Sequence, residues 1–477
     1  MAKVLLILPH LPQRMGTPYL GQQYVASALL AAGHDVRCLD MAAVRFAGTD
    51  ADAVALAREW GPDVVGMTLF TYNALRGYRL AHALRGLTRC LVAGGPHVTA
   101  LPHEALEHGF DVAIAGEAEH SLVALACALE RGEAWPALPG LHATGLACTP
   151  HRTLEDLDAL PLPLESYDCY DASRYSAGAM VVPGGLMTSR GCPARCTFCA
   201  NHVTGRVYRW RSAANVVAEM KALHRRHGVR HFPFWDDAFT ARRARLLELC
   251  AAIVAEPELA GCTWTCITPG SMVRPADLAV MREAGCVAIN FGLESGDLNV
   301  LRDIRKGQHP DQVRDAVRSA RDAGMTTIVN FMFGFPQEGV RELANTRAFM
   351  ESIAPHTDYF NNRGVLVPFP GTEIYAREHE RHGFTNWWLD PARIVDEPNV
   401  HVLDPRASQE YLEHDPTLDL DFFHYEPAVR AAIDDCVRFK ARHNARTMHR
   451  FTLPHDAPAP VGASTGELLR NAAASVG

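Results

Sequence analysis

Three cysteines within eight residues, Cys192, Cys196 and Cys199 of SRGCPARCTFCANH, are the strongest chemical signal in this chain of 477 residues. Thiolates are soft ligands suited to zinc or to iron–sulfur clusters. A structural zinc site takes four ligands, and no fourth thiol follows at a fixed spacing. Two completions fit the pattern. His202 could supply a fourth ligand to zinc, or a 4Fe-4S cluster could be held by three thiolates with one iron left open for a substrate or cofactor. Three carboxylates also stand out, Asp236 and Asp237 in WDDAF and Glu294 in FGLESG, each placed just after an apolar run. Helix capping is the ordinary use of acids at such strand–helix turns.

These residues need a scaffold that gathers strand ends. Apolar runs over 185–189, 231–235, 262–268, 287–292, 326–333 and 361–367 predict six strands. Helical patterns at 213–226, 275–284, 310–323 and 340–353 lie between them. Six strands with crossover helices predict a partial TIM-like barrel over 185–375, with functional groups at the strand carboxyl ends. An earlier series occupies residues 1–133, with strands at 3–8, 36–39, 64–67, 90–93 and 112–115 and a helix from Leu20 that stops before Gly33. Alternation of this kind predicts a doubly wound, Rossmann-like parallel sheet whose ligand sits by the loops LPHLP, TLFTYN, GGPHVT and GEAEH. The fold class is therefore α/β throughout. Residues 134–184, rich in proline and turn residues, read as a linker. Residues 376–477 form a smaller, partly helical region, with one strong helix at 427–448 and a tail rich in Ala, Pro, Ser and Gly that is expected to be disordered.

Composition narrows the setting. The thirteen cysteines follow no secreted disulfide framework, the amino terminus reads as a buried strand, and no apolar run is long enough to span a membrane. A reducing cytoplasm is the expected location, with no membrane partner. The net charge of −8 argues against nucleic acid as a partner. Ten acids and two bases between Asp390 and Glu426 leave −8 in that segment alone, so the rest of the chain is neutral. Its aromatics, Trp387 and Trp388 just before it and Tyr411, Phe422, Phe423 and Tyr425 within it, argue against a wholly disordered stretch. Either it is a solvated surface, or Glu410, Glu413, Asp415 and Asp419 belong to a lid that attracts a cationic substrate.

CPARCTFC resembles the signature of the radical S-adenosylmethionine (SAM) superfamily, CxxxCxxC with an aromatic before the last cysteine. The resemblance implies a 4Fe-4S cluster on Cys192, Cys196 and Cys199 whose open iron binds SAM, and an electron from a flavodoxin- or ferredoxin-type donor. Reductive cleavage of SAM would then give a 5'-deoxyadenosyl radical that abstracts hydrogen from a small-molecule substrate. By the same resemblance Phe198 lies near the adenine, Asp236 and Asp237 face the SAM amino group, and Glu294, followed by Ser295, accepts from the ribose hydroxyls. FMFGFPQE (331–338) and PFPGTEIY (368–375) match the ends of strands five and six, which brings Asn330, Gly334 and Pro368 to the adenosine and substrate space.

Residues 62–74, 92–99 and 114–122 resemble the cobalamin-binding domain found ahead of many such barrels. There Gly94 and Gly95 would let backbone approach the nucleotide tail, while Leu69, Phe70 and Tyr72 would lie beneath the corrin. No DxHxxG motif is present, so a bound cobalamin should be histidine-off. A doubly wound domain that binds nothing is the plainer alternative. In TWTC, Cys266 shares a strand face with Cys262 and Trp264, and it either touches the substrate or fills the core, as Cys436 does on the last helix.

Methylthiotransferases of this architecture carry three more cluster cysteines in the first domain and an RNA-binding module. Cys38, Cys90, Cys127 and Cys148 are scattered and the carboxyl-terminal region is acidic, so that reading is rejected. Two readings of an enzyme remain: cobalamin-dependent C-methylation, expected here on a cationic, amino-sugar-like substrate of antibiotic biosynthesis, or cobalamin-independent dehydration or rearrangement of an amino sugar. A cluster-bearing sensor is the non-enzymatic alternative, and it would leave the SAM-facing motifs without a purpose.

Overall fold

The computed structural model describes residues 1–12, 15–146, 149–175, 185–361, 364–394 and 415–447. Cys148, Tyr411, Glu410, Glu413, the middle of the acidic segment and the carboxyl-terminal tail lie outside them.

The first sheet is built on β1 (Lys3–Leu8), whose run KVLLIL is buried on both faces, as a central parallel strand requires. It pairs in parallel with β2 (Asp35–Asp40) and β3 (Val64–Thr68). Next come β4 (Cys90–Gly94), β5 (Val112–Ile114) and an antiparallel edge, β6 (Leu141–Ala143), giving the order β2-β1-β3-β4-β5-β6. The winding reverses between β1 and β3, where ligands of doubly wound sheets sit. The helix Leu20–Ala31 packs beside this point and ends at Gly33, which adopts φ +83°.

The expected linker is partly core. It contains β6, and the turn Pro163–Cys169 packs its buried Leu164 and Tyr167 against the first domain. Leu157 and Leu160 join Leu20 and Tyr24 in a separate apolar cluster. Prolines forbid long regular elements, but they do not keep the apolar residues between them out of the interior.

The second sheet is entirely parallel, in the order β13-β12-β11-β10-β9. Its strands are β9 (His231–Pro233), β10 (Thr263–Pro269), β11 (Cys286–Glu294), β12 (Thr326–Phe331) and β13 (Tyr359–Asn361). The expected first strand makes only a bridge from Leu186 to Phe234 before the chain forms a short hairpin, β7 (Ser189–Arg190) with β8 (Arg209–Trp210). The expected sixth strand starts two residues early and ends at Asn361, leaving a single later bridge, Phe333 to Val365. The partial barrel thus has five strands, the last of them abbreviated, and the expected first strand is reduced to a single bridge. Its open edge is closed by the helix Pro427–Thr447, where the Asn444 carboxamide donates to the Phe360 carbonyl at 2.8 Å and accepts from its N–H at 2.9 Å. One side chain thereby fills the place of a neighbouring strand. Cys266, buried beside Cys250 and Cys286 in the core cluster, and Cys436 are both packing residues.

Candidate functional site

The cysteine loop is held from several sides. Gly191 turns the chain at φ +87°, where a methyl group would overlap the Val207 carbonyl. The Cys192 N–H donates to Gly205 O (3.1 Å), Thr197 N–H to Ile304 O (3.0 Å) and Ile374 N–H to Thr197 O (3.0 Å). Asp237 Oδ2 accepts from the Gly191 N–H (3.2 Å), Asn201 Nδ2 (3.3 Å) and Thr204 Oγ1 (3.1 Å). Cys192 and Cys196 are half-buried and Cys199 stands exposed at the rim. Burial pushes the Cys192 and Cys196 thiols above their ordinary range. Phe198 packs against Phe335 at 5.8 Å between ring centres.

A cluster takes each thiolate on a different iron, so its ligands need not meet at one point. Consistent with that, no three His, Cys, Asp or Glu side chains among the described residues close on a single ion. His202 does not complete a mononuclear zinc site either. Its Nε2 lies 2.8 Å from the Pro96 carbonyl of the first domain. Three soft donors on one loop, anchored at Cys192 and Thr197, fit a 4Fe-4S cluster held by three thiolates.

Glu294 ends β11 at φ +77°, a left-handed conformation unusual for a side chain this long, and β11 slips register against β12 there. Gln308 secures the irregularity, its Nε2 donating to the Gly292 and Leu293 carbonyls at 2.9 Å each. The Glu294 carboxylate faces Lys306, Nζ to Oε1 2.7 Å, and both side chains are about nine-tenths buried. Burial opposes the ammonium, but Glu294 and Cys196 outweigh it and hold Lys306 protonated, with a pKa of about 12. The same ammonium lies 5.7 Å from the Phe198 ring centre. Lys306 and Gln308 escaped the sequence reading. The signal was there in RKGQ, twelve residues after Glu294, but nothing in a linear sequence pairs a lysine with a glutamate across a turn.

The other expected cofactor contacts divide. Asp236 is consumed by the protein. Its carboxylate accepts from the Thr188 N–H (2.7 Å), Thr188 Oγ1 (2.5 Å) and Ser189 Oγ (2.6 Å), and Arg245 lies 3.5 Å away. Asp237, although exposed, braces the cysteine loop through its Oδ2. Ser295 is fully buried, with its hydroxyl on Thr346 (2.9 Å) and on the Asp297 N–H (3.1 Å). These three side chains hold the site together, and for Asp236 and Ser295 the groups packed beside them take up their hydrogen-bonding capacity. Asn330 keeps a buried carboxamide oxygen without a protein partner, as does Asn290 on the next strand. Gly334, at φ +79°, is covered by Tyr425, whose hydroxyl donates to its carbonyl at 2.7 Å. The Pro368 carbonyl accepts from Trp387 Nε1 at 2.9 Å. Both positions thus anchor the carboxyl-terminal region.

In the first domain a cavity of about 140 Å³ opens at the winding reversal. It is lined by Gly66 within β3, by Gly94, Gly95 and Gly116 at or just past strand ends, and by Met187, Arg190, Val203 and Thr204 from the barrel. A methyl group on Gly94 would meet nothing nearer than Ile114 O at 3.8 Å, so its open side faces the cavity. On Gly95, at φ +100°, it would crowd Leu69 O at 2.8 Å. Phe70 packs edge-on against Tyr19 at 5.1 Å, at the cavity mouth. Leu69 departs from expectation. It is fully buried and pressed on Gly77, so it faces the domain core and not a ligand. Tyr72 packs against Phe369 and Trp387. The described lining contains no histidine. A glycine-walled slot that backbone can approach closely fits the tail of a cobalamin bound without a histidine ligand.

Comparison with known proteins agrees with this geometry. The Radical SAM superfamily model matches residues 186–350 and the B12 binding domain model matches residues 16–126. An uncharacterized methyltransferase of Pyrococcus horikoshii is 31% identical over 389 residues, covering 78% of this chain and 82% of that protein. The cytidylyl-2-hydroxyethylphosphonate methyltransferase of Streptomyces wedmorensis is 28% identical, covering 77% and 78%. Among solved structures, the radical SAM methyltransferase TsrM of Kitasatospora setae, with cobalamin and a 4Fe-4S cluster bound, superposes with a TM-score of 0.64 at 21% identity, covering 80% and 79% of the two chains. The chain belongs to the radical SAM superfamily, in the cobalamin-dependent methyltransferase family whose members pair a B12-binding domain with the barrel and use a 4Fe-4S cluster, SAM and cobalamin.

Proposed function

We propose that this enzyme methylates a carbon atom of a small, uncharged, hydrogen-bonding substrate held in the barrel. The observation that carries the methylation is the shared cavity. Residues of both domains line it, so a ligand of the first domain lies against the loop that bears the three cysteines. When bound, the cluster and SAM supply a 5'-deoxyadenosyl radical, and cobalamin supplies the methyl group. The chain's own part is to orient and to exclude water. Glu294, held by Lys306, offers a carboxylate for the ribose hydroxyls, and Phe198 with Phe335 offers an apolar wall. The electron comes from a flavodoxin- or ferredoxin-type donor.

The barrel lining supports this substrate class. Trp235, Thr265, Ile267, Asn290, Tyr359 and Asn361 surround a small interior cavity with no charged side chain among them. An amide oxygen buried without a partner, as on Asn290, suits an O–H or N–H donor. The expectation of a cationic amino sugar loses its support among the described residues. Asp415 is buried and caps the Thr417 N–H, Asp419 pairs with Arg430, and Trp387, Trp388, Phe422 and Phe423 are core residues rather than a lid. Dehydration draws no support from the two relatives described above, both of which carry methyltransferase names.

The test needs no substrate. Anaerobically reconstituted protein is reduced and given SAM with and without hydroxocobalamin. Formation of S-adenosylhomocysteine only when hydroxocobalamin is present supports methyl transfer. Formation of 5'-deoxyadenosine alone, indifferent to hydroxocobalamin, overturns it.

A further inference from the structure

The short hairpin β7/β8 places Arg190 directly opposite Arg209. Two like charges on facing strands repel, and both side chains here are at most 7% exposed. Nothing on the hairpin neutralises them. Their counter-charges come from the other domain, on the GEAEH loop after β5. Glu117 accepts from Arg190 Nη1 at 2.9 Å and from Arg209 Nη1 at 2.9 Å, and Glu119 accepts from Arg190 Nη2 at 2.7 Å. Both glutamate side chains are at most 5% exposed. Gly116, whose N–H donates to Thr99 Oγ1 at 2.9 Å, sets the turn of that loop. The Arg190 guanidinium also lies 4.6 Å from the Tyr24 ring centre.

This four-charge bridge touches both functional regions. Glu117, Glu119 and Arg190 line the first-domain cavity. Two routes then lead from the bridge to the cysteines. One is covalent, Arg190 to Gly191 to Cys192. The other runs from Arg209 Nη2 to the Thr204 carbonyl (2.8 Å), then through Gly205, whose carbonyl accepts the Cys192 N–H (3.1 Å). We propose that Glu117 and Glu119 are positioning residues that lock the cobalamin-binding domain to the cluster loop through Arg190 and Arg209, so that filling the cavity is transmitted to Cys192–Cys199. Buried charges take only one arrangement cheaply, which makes the bridge a rigid spacer and not a compliant one.

This inference rests on the cavity being the cobalamin site, and the experiment separates the two. Anaerobic amide hydrogen exchange of the full chain with its reconstituted cluster is followed over residues 192–199, none of which lines the cavity, with and without hydroxocobalamin. In the unmodified protein hydroxocobalamin slows exchange there about fivefold or more, the scale of ordinary coupling between sites. In Arg209→Gln, which breaks the bridge to Glu117 at a residue that does not line the cavity, hydroxocobalamin still binds by absorbance while the slowing is lost. A merely structural role would lower Tm in that variant and leave the slowing intact, and that result overturns the proposal. So does unchanged exchange in the unmodified protein, an arm that needs no variant. Failure of hydroxocobalamin to bind at all would instead overturn the functional reading beneath it.

Discussion

Asp236 and Glu294 stand just past or at the carboxyl ends of two strands of one sheet, and motif by motif they look alike. Their surroundings differ in kind. Asp236 has three hydrogen-bond donors and an arginine around its two oxygens, so the protein has used the acceptor capacity it offers. Glu294 sits on strained backbone, is steadied by one lysine, and adjoins the cysteine loop through that lysine. The contrast separates an acid that builds the site from one that serves it. Backbone strain persists where the surrounding structure over-determines it, and such places gather at functional sites.

Four measurements would break or sharpen that contrast, taken in order of size. Asp236→Ala leaves Arg245, only 3% exposed, without its carboxylate. It should cost about 3–5 kcal/mol of stability, read as a large drop in Tm. A change confined to SAM binding would place Asp236 with Glu294.

Glu338 is a third kind of buried acid, accepting from the Gly334 N–H at 2.7 Å with no salt bridge to a cation among the described residues. Burial raises it from the ordinary 4.5 to about 8. The protonated acid's contribution is complete below about pH 4.5 and is lost as pH rises to about 8. Thermal unfolding of wild type against Glu338→Gln across that window should diverge by an amount on the order of a few kcal/mol, wild type falling with rising pH. Parallel curves would show that Glu338 ionises normally.

Glu294→Gln should lower Tm, because buried Lys306 loses its carboxylate, and should also weaken SAM binding roughly 10- to 100-fold, the worth of a charge-assisted hydrogen bond of about 1.5–3 kcal/mol. Titration of reconstituted protein with SAM measures it, and undiminished affinity would return Glu294 to a structural role. Asp237→Asn is the mildest, because the amide oxygen can still accept from Gly191, Asn201 and Thr204. About 1 kcal/mol of stability should be lost, with faster iron release to a chelator as the loop loosens.

Much of the architecture was legible because it is written in local periods. Apolar runs marked β1, β3, β4 and β5 to within a residue or so, since a strand covered on both faces must be apolar throughout. The barrel's first and last strands were less legible. A two-residue hairpin and a three-residue edge strand carry too few residues for a pattern, and the edge is completed by Asn444, eighty-four residues on from Phe360. Leu69 was misplaced for a related reason. TLFTYN says that a loop stands at the sheet's end, but the direction of each side chain depends on Gly77 making room in a neighbouring helix.

By itself the sequence determined the chemistry available to this protein. The spacing of Cys192, Cys196 and Cys199 restricts the loop to three soft ligands, and Gly94 with Gly95 keeps one wall of the first domain free of side chains. Thiol identity and the absence of a Cβ are properties of single residues, so they survive without a fold. Tertiary structure alone decided which charges meet. Lys306 with Glu294, Arg245 with Asp236, and Arg190 and Arg209 with Glu117 and Glu119 are pairs formed by burial, from residues up to 92 positions apart. Removing water makes each such pairing necessary, and only the folded chain determines which partners lose their water together.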